Sequence, residues 1–519
     1  MDTSKTTNSA ETNCAATLYS RGGQFAPLPL KDAVRNHTPP TWLGQLIQIA
    51  GDQHVYYEVP DLWAYSRDRS PFSTFQIRNG NLPATLPSAV VCPASVQELM
   101  DIVTFTRGHN IPVIPFGAGS GVLGGTLPLA HELIIDLKRL NRIIGLNEVD
   151  GVVTVQAGMN GAQFEAALNA KGFTCGHLPQ SLHMSTVGGW AACRGAGQNS
   201  SRYGKIEDMI LGLEVILPDS RPLRIRPVAR RAVGPSLKDL FIGSEGVLGI
   251  LTELSLRVWR LPEVRHGVVL AFPSEQAGLD ALRTVMQSEL RPAIVRLYDQ
   301  AESSHRTCGI SEFVSHPVLA ILEFSGTSTL AAIERDLSIE ICSAFGARLT
   351  DNALYNEWLA NRFTSMSAPW QARDYFMDTI EITGSWSALP EMYKAMCAAV
   401  QSLSPEIEFG AHWSHVYSEG ACQYMTIRIS PMSEEKALHL MRQAWCAVHE
   451  ICLEKGGSIS HHHGVGLFRN EWLPAELTAG LGILRALKRH LDPDNLFVPG
   501  KLGFNVNAGA DGTGTGAHT

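Results

Sequence analysis

Long apolar runs, clustered cations and paired cysteines are all missing from this chain, and each absence removes a class of function. No stretch approaches the about 20 consecutive apolar residues that a membrane-spanning helix needs, so no membrane span is expected. Lys and Arg number 42 against 50 Asp and Glu, a formal net charge of -8, whereas a nucleic-acid or anionic-membrane partner is held by clustered cations. The ten cysteines contain no C-x-x-C pair and no zinc-like spacing. Buried thiols in a reducing, cytoplasmic setting are therefore the default reading, and no apolar leader ahead of a cleavage site argues otherwise. What remains, 45% hydrophobic and 18% charged residues over 519 positions, is the composition of a globular protein with room for two or three domains.

Against these absences stands one dense feature. Residues Pro115 to Gly125 read PFGAGSGVLGG directly after the β-type run Ile111-Pro-Val-Ile114. Glycine reaches positive φ without strain and carries no Cβ, so successive backbone N–H groups in such a loop can converge on a diphosphate. A nucleotide cofactor is expected here. The string Gly119-Ser-Gly121-Val-Leu-Gly124 also satisfies G-x-G-x-x-G, but the Rossmann reading needs the last glycine to open a helix. Thr126-Leu-Pro128 and the β-type run Leu133–Leu137 follow instead, which argues against a nicotinamide-type unit.

Around the loop, Ala89-Val-Val reads as a strand and Ser95 with Glu98 as a capping box. Leu99, Ile102 and Val103 then form the apolar face of a helix ending near Gly108. Gly151 to Gly158 reads as another strand, followed by a helix capped by Asn160 and burying Phe164, Ala167 and Leu168. Short strands and helices alternate to about Glu253. From about Pro262, longer amphipathic helices and separated strands predict a second unit of α+β type. A helix from Ser433 to Lys455 stops at Gly456-Gly457 and delivers the chain into Ser458-Ile-Ser-His-His-His-Gly464. Residues 1–22 and 506–519, polar or small and without periodicity, are expected to be disordered.

Four segments read together carry a resemblance. They are Pro115 to Gly121, Ser181-Leu-His-Met-Ser-Thr-Val-Gly-Gly-Trp190, Ile242-Gly-Ser-Glu-Gly-Val-Leu-Gly249 and Leu491-Asp-Pro-Asp-Asn-Leu-Phe-Val-Pro-Gly-Lys-Leu502. Together they resemble the vanillyl-alcohol oxidase and p-cresol methylhydroxylase superfamily of FAD enzymes. Within it, the SISHHHGVG string from Ser458 to Gly466 is similar to alkyldihydroxyacetonephosphate synthases and their bacterial FAD-linked oxidase relatives. The resemblance implies an α+β fold. An N-terminal helical or extended segment (23–85) leads into a two-subdomain FAD-binding domain of the p-cresol methylhydroxylase type (86–262). A cap with an antiparallel sheet (263–457) follows, and a C-terminal segment (458–505) returns to the flavin.

The same resemblance implies FAD contacts from Pro115, Phe116, Gly117, Ala118, Gly119, Ser120 and Gly121, then from Gln180, Ser181, Ser185, Thr186, Gly188 and Gly189. Cys193, Arg194, Gly195 and Ala196 continue that wall, with Glu245, Gly246, Gly249, Ile250, Leu251 and Lys501 deeper in the pocket. The family's covalent flavin histidine has no counterpart, since Ala118 sits among the glycines. Non-covalent FAD, a small-molecule substrate and a homodimer are expected. The terminal Gly-Ala-His-Thr519 is not a peroxisomal tripeptide, which fits a cytoplasmic relative of bacterial type.

A flavin supplies a two-electron centre, so the protein has only to place a substrate carbon and move a proton. The resemblance assigns the proton to Tyr424, in Gly420-Ala-Cys-Gln-Tyr424. A phenol with pKa near ~10 is a poor base unless a positive neighbour stabilises the phenolate. His461, His462 and His463 are candidates for that charge or for a hydrogen bond, although at most two of them can face one site on a regular backbone. No metal is expected, because adjacent imidazoles rarely converge on one ion without carboxylate or thiolate partners. Tyr424 as a core aromatic with a satisfied hydroxyl is the plainer alternative.

Anionic substrates need fixed cations, and Arg373 and Arg296 are candidates, with plain surface arginines as the alternative. His412 and His415 are read as lining the cap pocket or as structural. Two positions depart from the synthases: His412 stands where the animal enzymes carry arginine, and Leu467 where the family has lysine. Both changes remove cations that could hold a phosphate. Two reactions therefore compete: hydride transfer from an alcohol or hydroxy acid to flavin N5 with Tyr424 as acid/base, and a non-redox, ether-forming exchange at flavin N5 as in the synthases. A protein that binds FAD without catalysis is a third reading.

Overall fold

The computed structural model describes residues 38–78, 85–364 and 367–504. The two expected disordered ends, and the first part of the 23–85 segment, lie outside these residues. Three sheets organise the rest. The first has four strands in the order Val55–Tyr56, Ala89–Val91, Leu133–Asp136, Val113–Phe116, and the last three run parallel. Leu133 to Asp136 is buried throughout, as a parallel strand covered on both faces requires. The helix Val96–Gly108 is capped by Ser95, which accepts from the Glu98 N–H at 3.1 Å. The Glu98 carboxylate reaches the N–H of Ala94, one residue ahead of the cap. The glycine-dense loop leaves the carboxyl end of Val113–Phe116, the edge of a parallel sheet where ligands are commonly held, and a strand rather than a helix follows it.

The second sheet is antiparallel, in the order Ile143–Asn147, Val152–Gln156, Ile250–Arg257, Ile210–Ile216, Pro222–Ile225. The helix Gly161–Asn169 packs on it, capped by the Asn160 side chain and burying Phe164 and Leu168; Ala167 is only half-buried. Trp259–Arg260 still pairs with Phe173–Thr174 of this region, while Val264–Phe272 opens the third sheet.

That third sheet has seven antiparallel strands, in the order Arg348–Leu349, Val264–Phe272, Val318–Gly326, Ile294–Tyr298, Ile407–Val416, Gly420–Ile429, Phe376–Ser385. Side chains alternate between the faces of a strand. Ile380 and Ile382 pack with Met392, Met396, Leu440 and Val448 of the covering helices Leu389–Leu403 and Glu434–Glu454. Thr379, Glu381 and Thr383 therefore point to the other face. Register carries this polarity across the sheet, because Glu381 pairs with Tyr424, Tyr424 with His412, and His412 with Tyr298. One face is an apolar core; on the other, Glu381, Tyr424, His412 and Tyr298 make a polar and aromatic row across four strands, beside a smaller apolar cluster around Val269, Leu319 and Ile321.

After Gly457 the chain crosses back. Ser458 bridges to Thr383, and Val113 donates to Leu496 O (2.7 Å) while Val498 donates to Val113 O (2.8 Å), adding the C-terminal segment to the first sheet. Among the described residues no helix is long and apolar enough to cross a membrane. On the core face, Trp413 is fully buried, 5.0 Å from the Tyr393 ring and hydrogen-bonded to Gln423. Trp413→Ala is expected to cost about 3–5 kcal/mol, measured by denaturant unfolding, and a loss below about 1 kcal/mol would contradict this packing.

Candidate active site

The loop after Phe116 leaves its amides free. Among the described residues no protein acceptor takes the N–H of Gly117, Ala118, Gly119 or Ser120, and Gly119 holds φ at +60°. A Cβ at Gly117 would stand 2.3 Å from the Thr186 hydroxyl, so the loop lies directly against the start of the helix Val187–Ala192, which Thr186 caps. Gly188 sits as closely on Ala157, and Gly246 on the Pro115 ring. Three of the segments expected around a cofactor thus meet, and free amides on a surface that only glycine permits fit the diphosphate of FAD.

The individual side chains divide. Phe116 is a core residue with its ring 4.9 Å from Tyr65. Ser185 accepts from the Trp190 indole at 2.7 Å, and Ile250 and Leu251 are buried at the start of a strand. Gln180 is exposed, donating to Thr364 O and accepting from Gln198. Arg194 is exposed with its stem against Gly243. Ser181, Cys193 and Gly195 are half-buried, and Ala196 is buried. Gly249, at φ +157°, packs on Val215. Lys501 is fully buried and donates to Gly125 O (2.8 Å) and Leu127 O (2.6 Å), bracing the far end of the glycine loop.

Two carboxylates, the fully buried Glu381 and the half-buried Glu245, hold the histidine run and the residues that follow it. Glu381 accepts the N–H groups of His461 (2.5 Å), His462 (3.2 Å) and His463 (3.0 Å), the Ser460 hydroxyl (3.1 Å) and the Arg469 guanidinium (2.7 Å). Both members of the Glu381–Arg469 pair are 0% exposed. Glu245 accepts the N–H groups of Val465 (2.7 Å) and Gly466 (2.8 Å). The next two residues, Leu467 and Phe468, donate to Leu123 O at 2.8 and 3.2 Å, inside the glycine loop.

Burial alone would push Glu381 up, but the Arg469 charge and hydrogen bond, together with the neighbouring His463 and His461, bring the carboxyl down to about 2. Burial, with Lys205 nearby, lowers His461 to about 3. It also lowers His463 to about 4, and holds His462 and His412 well below the ordinary imidazole range. Tyr424 is pushed up to about 12 by burial, against its hydrogen bond to Thr379 Oγ1 at 3.0 Å. Of the two roles open to the histidines, charge on a phenolate is therefore not the one this site offers. At neutral pH the phenol keeps its proton and the imidazoles present lone pairs.

Tyr424 stacks on His412 at 4.9 Å and lies 6.0 Å from His462 and 5.6 Å from His463, ring to ring. Two of the three histidines thus reach it. The third, His461, turns to Tyr417 and His415. His415 sits at a bulge with φ +53°, its Nδ1 2.7 Å from Ser200 Oγ. Arg296 shares the polar face, half-buried, with Nη1 3.4 Å from the Tyr298 hydroxyl. Arg373 does not join this group: it is exposed and stacked on Trp370 and Tyr375. Glu381, Cys422, His461 and His462 offer ligand-type atoms within 4.8 Å of one another. Backbone amides and Arg469 already occupy the carboxylate, and burial holds the Cys422 thiol protonated.

The comparisons with known proteins agree with this geometry. Residues 87–226 match the FAD binding domain family, and residues 261–502 the family described as FAD linked oxidases, C-terminal domain. An alkyldihydroxyacetonephosphate synthase of Dictyostelium discoideum is 30% identical over 452 residues, covering 80% of this chain and 73% of its own. The uncharacterized FAD-linked oxidoreductase YgcU of Escherichia coli strain K12 is 29% identical over 479 residues, covering 88% and 97%. The structure of p-cresol methylhydroxylase with substrate bound aligns at a TM-score of 0.71 and 16% identity, covering 92% of this chain and 98% of that one. The fold is the α+β, FAD-binding architecture of the p-cresol methylhydroxylase type. The chain belongs to the FAD-linked oxidase family, and its cofactor is FAD.

Gly117→Val is expected to abolish FAD retention, read as the flavin absorbance of the purified protein, with the far-UV spectrum unchanged; full flavin content would exclude the loop as the diphosphate site. Glu381→Gln leaves Arg469 buried without its counter-charge and is expected to cost about 3–5 kcal/mol, checked by denaturant unfolding against the parent protein.

Proposed function

We propose that the protein oxidises a small alcohol or hydroxy acid, with Tyr424 and the imidazoles around it handling the hydroxyl proton. The observation that carries this reading is a half-buried phenol flanked by the rings of His412, His462 and His463 on the polar face of the cap sheet, with burial favouring the protonated phenol and the neutral imidazoles. Bound FAD supplies the two-electron acceptor. Tyr424 gives its hydrogen bond to Thr379 and can redirect it to His462 or His463, leaving an oxygen lone pair for a substrate hydroxyl. As its oxygen takes the substrate's hydroxyl proton, its own proton passes to His462 or His463. Such a concerted exchange builds no phenolate, which a group held at about 12 resists. It needs an imidazole with a free lone pair that passes the proton on as it takes it, since burial disfavours a lasting imidazolium. Arg296, with no carboxylate partner among the described residues, is the cation on this face for a substrate carboxylate. A cytoplasmic homodimer is part of the same proposal, resting on the cysteine pattern and the resemblance.

The identity to the Dictyostelium discoideum synthase favours a second reading, the ether-forming exchange. His412 weighs against it, since a neutral ring stacked between Tyr298 and Tyr424 stands where a phosphate-holding cation would serve. Anaerobic mixing with a panel of alcohols and hydroxy acids separates the two. Bleaching of the oxidised flavin band is expected, slowed roughly 10²–10⁴-fold in Tyr424→Phe at unchanged FAD content. No bleaching, with alkyl incorporation from a fatty alcohol, would establish the second reading instead.

A further inference from the structure

The mechanism above delivers a proton to an imidazole inside the protein, and the third histidine is arranged to carry it away. His461 uses both ring nitrogens: Nδ1 lies 3.0 Å from His462 Nδ1, and Nε2 lies 3.0 Å from the Tyr417 hydroxyl. Tyr417 belongs to the turn between the strands Ile407–Val416 and Gly420–Ile429, is half-buried, and lines a solvent-open cavity of about 490 Å³ with Ser385, Glu419 and Glu476. At the inner end, His462 makes no hydrogen bond through Nε2 among the described residues, and its ring faces Tyr424 and His415. A neutral imidazole donates from one nitrogen and accepts at the other, so both histidines, held neutral by burial, can be links in a chain. Anchoring is already provided by Glu381 and by Lys205, which donates to the His461 carbonyl at 2.5 Å. The Tyr417 hydroxyl is not required for that task.

We propose that His462, His461 and Tyr417 form a proton path from the surroundings of Tyr424 to the cavity at the edge of the cap sheet. It rests on the reading above only in requiring that a proton be moved. When a proton arrives at His462 Nε2, the Nδ1–H bond of His462 breaks as one forms at His461 Nδ1. The His461 Nε2–H proton goes to the Tyr417 oxygen, and the tyrosine's own proton leaves to water. Each bond broken is matched by one formed, and the path ends with its polarity reversed. The Tyr417 hydroxyl also donates to Ser200 Oγ at 3.4 Å, which is bonded to His415, and this leaves the tyrosine oxygen free to accept from His461 Nε2–H until the hydroxyl turns to water.

The test uses FAD-loaded protein mixed anaerobically with two equivalents of reduced methyl viologen radical in a weakly buffered solution containing a pH-indicator dye. The viologen supplies two electrons and neither releases nor binds a proton, so the proton that accompanies them is drawn from water. In the parent protein proton uptake is expected to keep pace with flavin bleaching. Tyr417→Phe is expected to bleach to the same extent while taking up its proton roughly 10²-fold more slowly, with the rate restored by added imidazole. Ser385→Trp, at an exposed position on the cavity rim, leaves the inner hydrogen bonds in place and is expected to slow uptake in the same way. Unchanged uptake in Tyr417→Phe overturns the path; should that variant not retain FAD, unchanged uptake in Ser385→Trp overturns it. Because no substrate is present, this outcome is separate from the alcohol-oxidation reading, whose failure shows as the absence of bleaching with alcohols and hydroxy acids.

Discussion

The ion pair between Glu381 and Arg469 is the contact on which the site depends. Two charges with no solvent exposure carry a large desolvation penalty, and such a pair survives only when its remaining hydrogen-bonding capacity is met. Here it is. The carboxylate takes three consecutive backbone amides from the histidine run, and the guanidinium takes the carbonyls of Glu381 and Gly464. A hydrophobic pair of equal volume would hold the strand as well. It could not gather His461, His462 and His463 by their main chain and so leave all three rings free to turn toward chemistry.

From that pair the rest of the site follows. The amides are fixed, so the imidazoles are fixed. Their burial keeps them neutral, and the burial of Tyr424 keeps it protonated. The strand Phe376–Ser385 does two jobs at once, since its isoleucines seal the core under the helices while Glu381, one residue out of phase, faces the site. Glu245 and Leu123 continue the series and join the histidine run to the glycine loop. The glycine loop and the cluster of Tyr424 with the histidines therefore share one continuous hydrogen-bonded framework.

Much of the architecture was legible in the residues. The strand, cap and helix from Ala89 to Gly108 and the Asn160-capped helix are local in origin, written in spacing and capping chemistry, and they stand as read. The glycine loop and the absence of a helix after it were equally local. The site was legible only in part. Tyr424 and the histidines were marked by resemblance, but their protonation depends on burial, which no spacing reports. Glu381 could have been suspected from the alternation Thr379-x-Glu381-x-Thr383 between isoleucines, a strand with one polar face. Arg469 could not, because it lies in an irregular loop and meets its partner across 88 residues of chain. Lys501 was expected beside FAD, and its ammonium donates to the carbonyls of Gly125 and Leu127 at the end of the glycine loop. Arg373 was expected near the substrate and is instead an exposed residue stacked on Trp370.

The histidine run is clasped from opposite sides, by Glu381 on the cap sheet and by Glu245 and Leu123 on the flavin-binding side. A hinge opening between those sides would have to strip the backbone amides from one carboxylate or the other, so breathing of whole domains is a poor route for admitting substrate. Because the seam is held along one short segment, substitutions in the loops around it can reshape the neighbouring surface without loosening the hydrogen bonds that fix the three imidazoles.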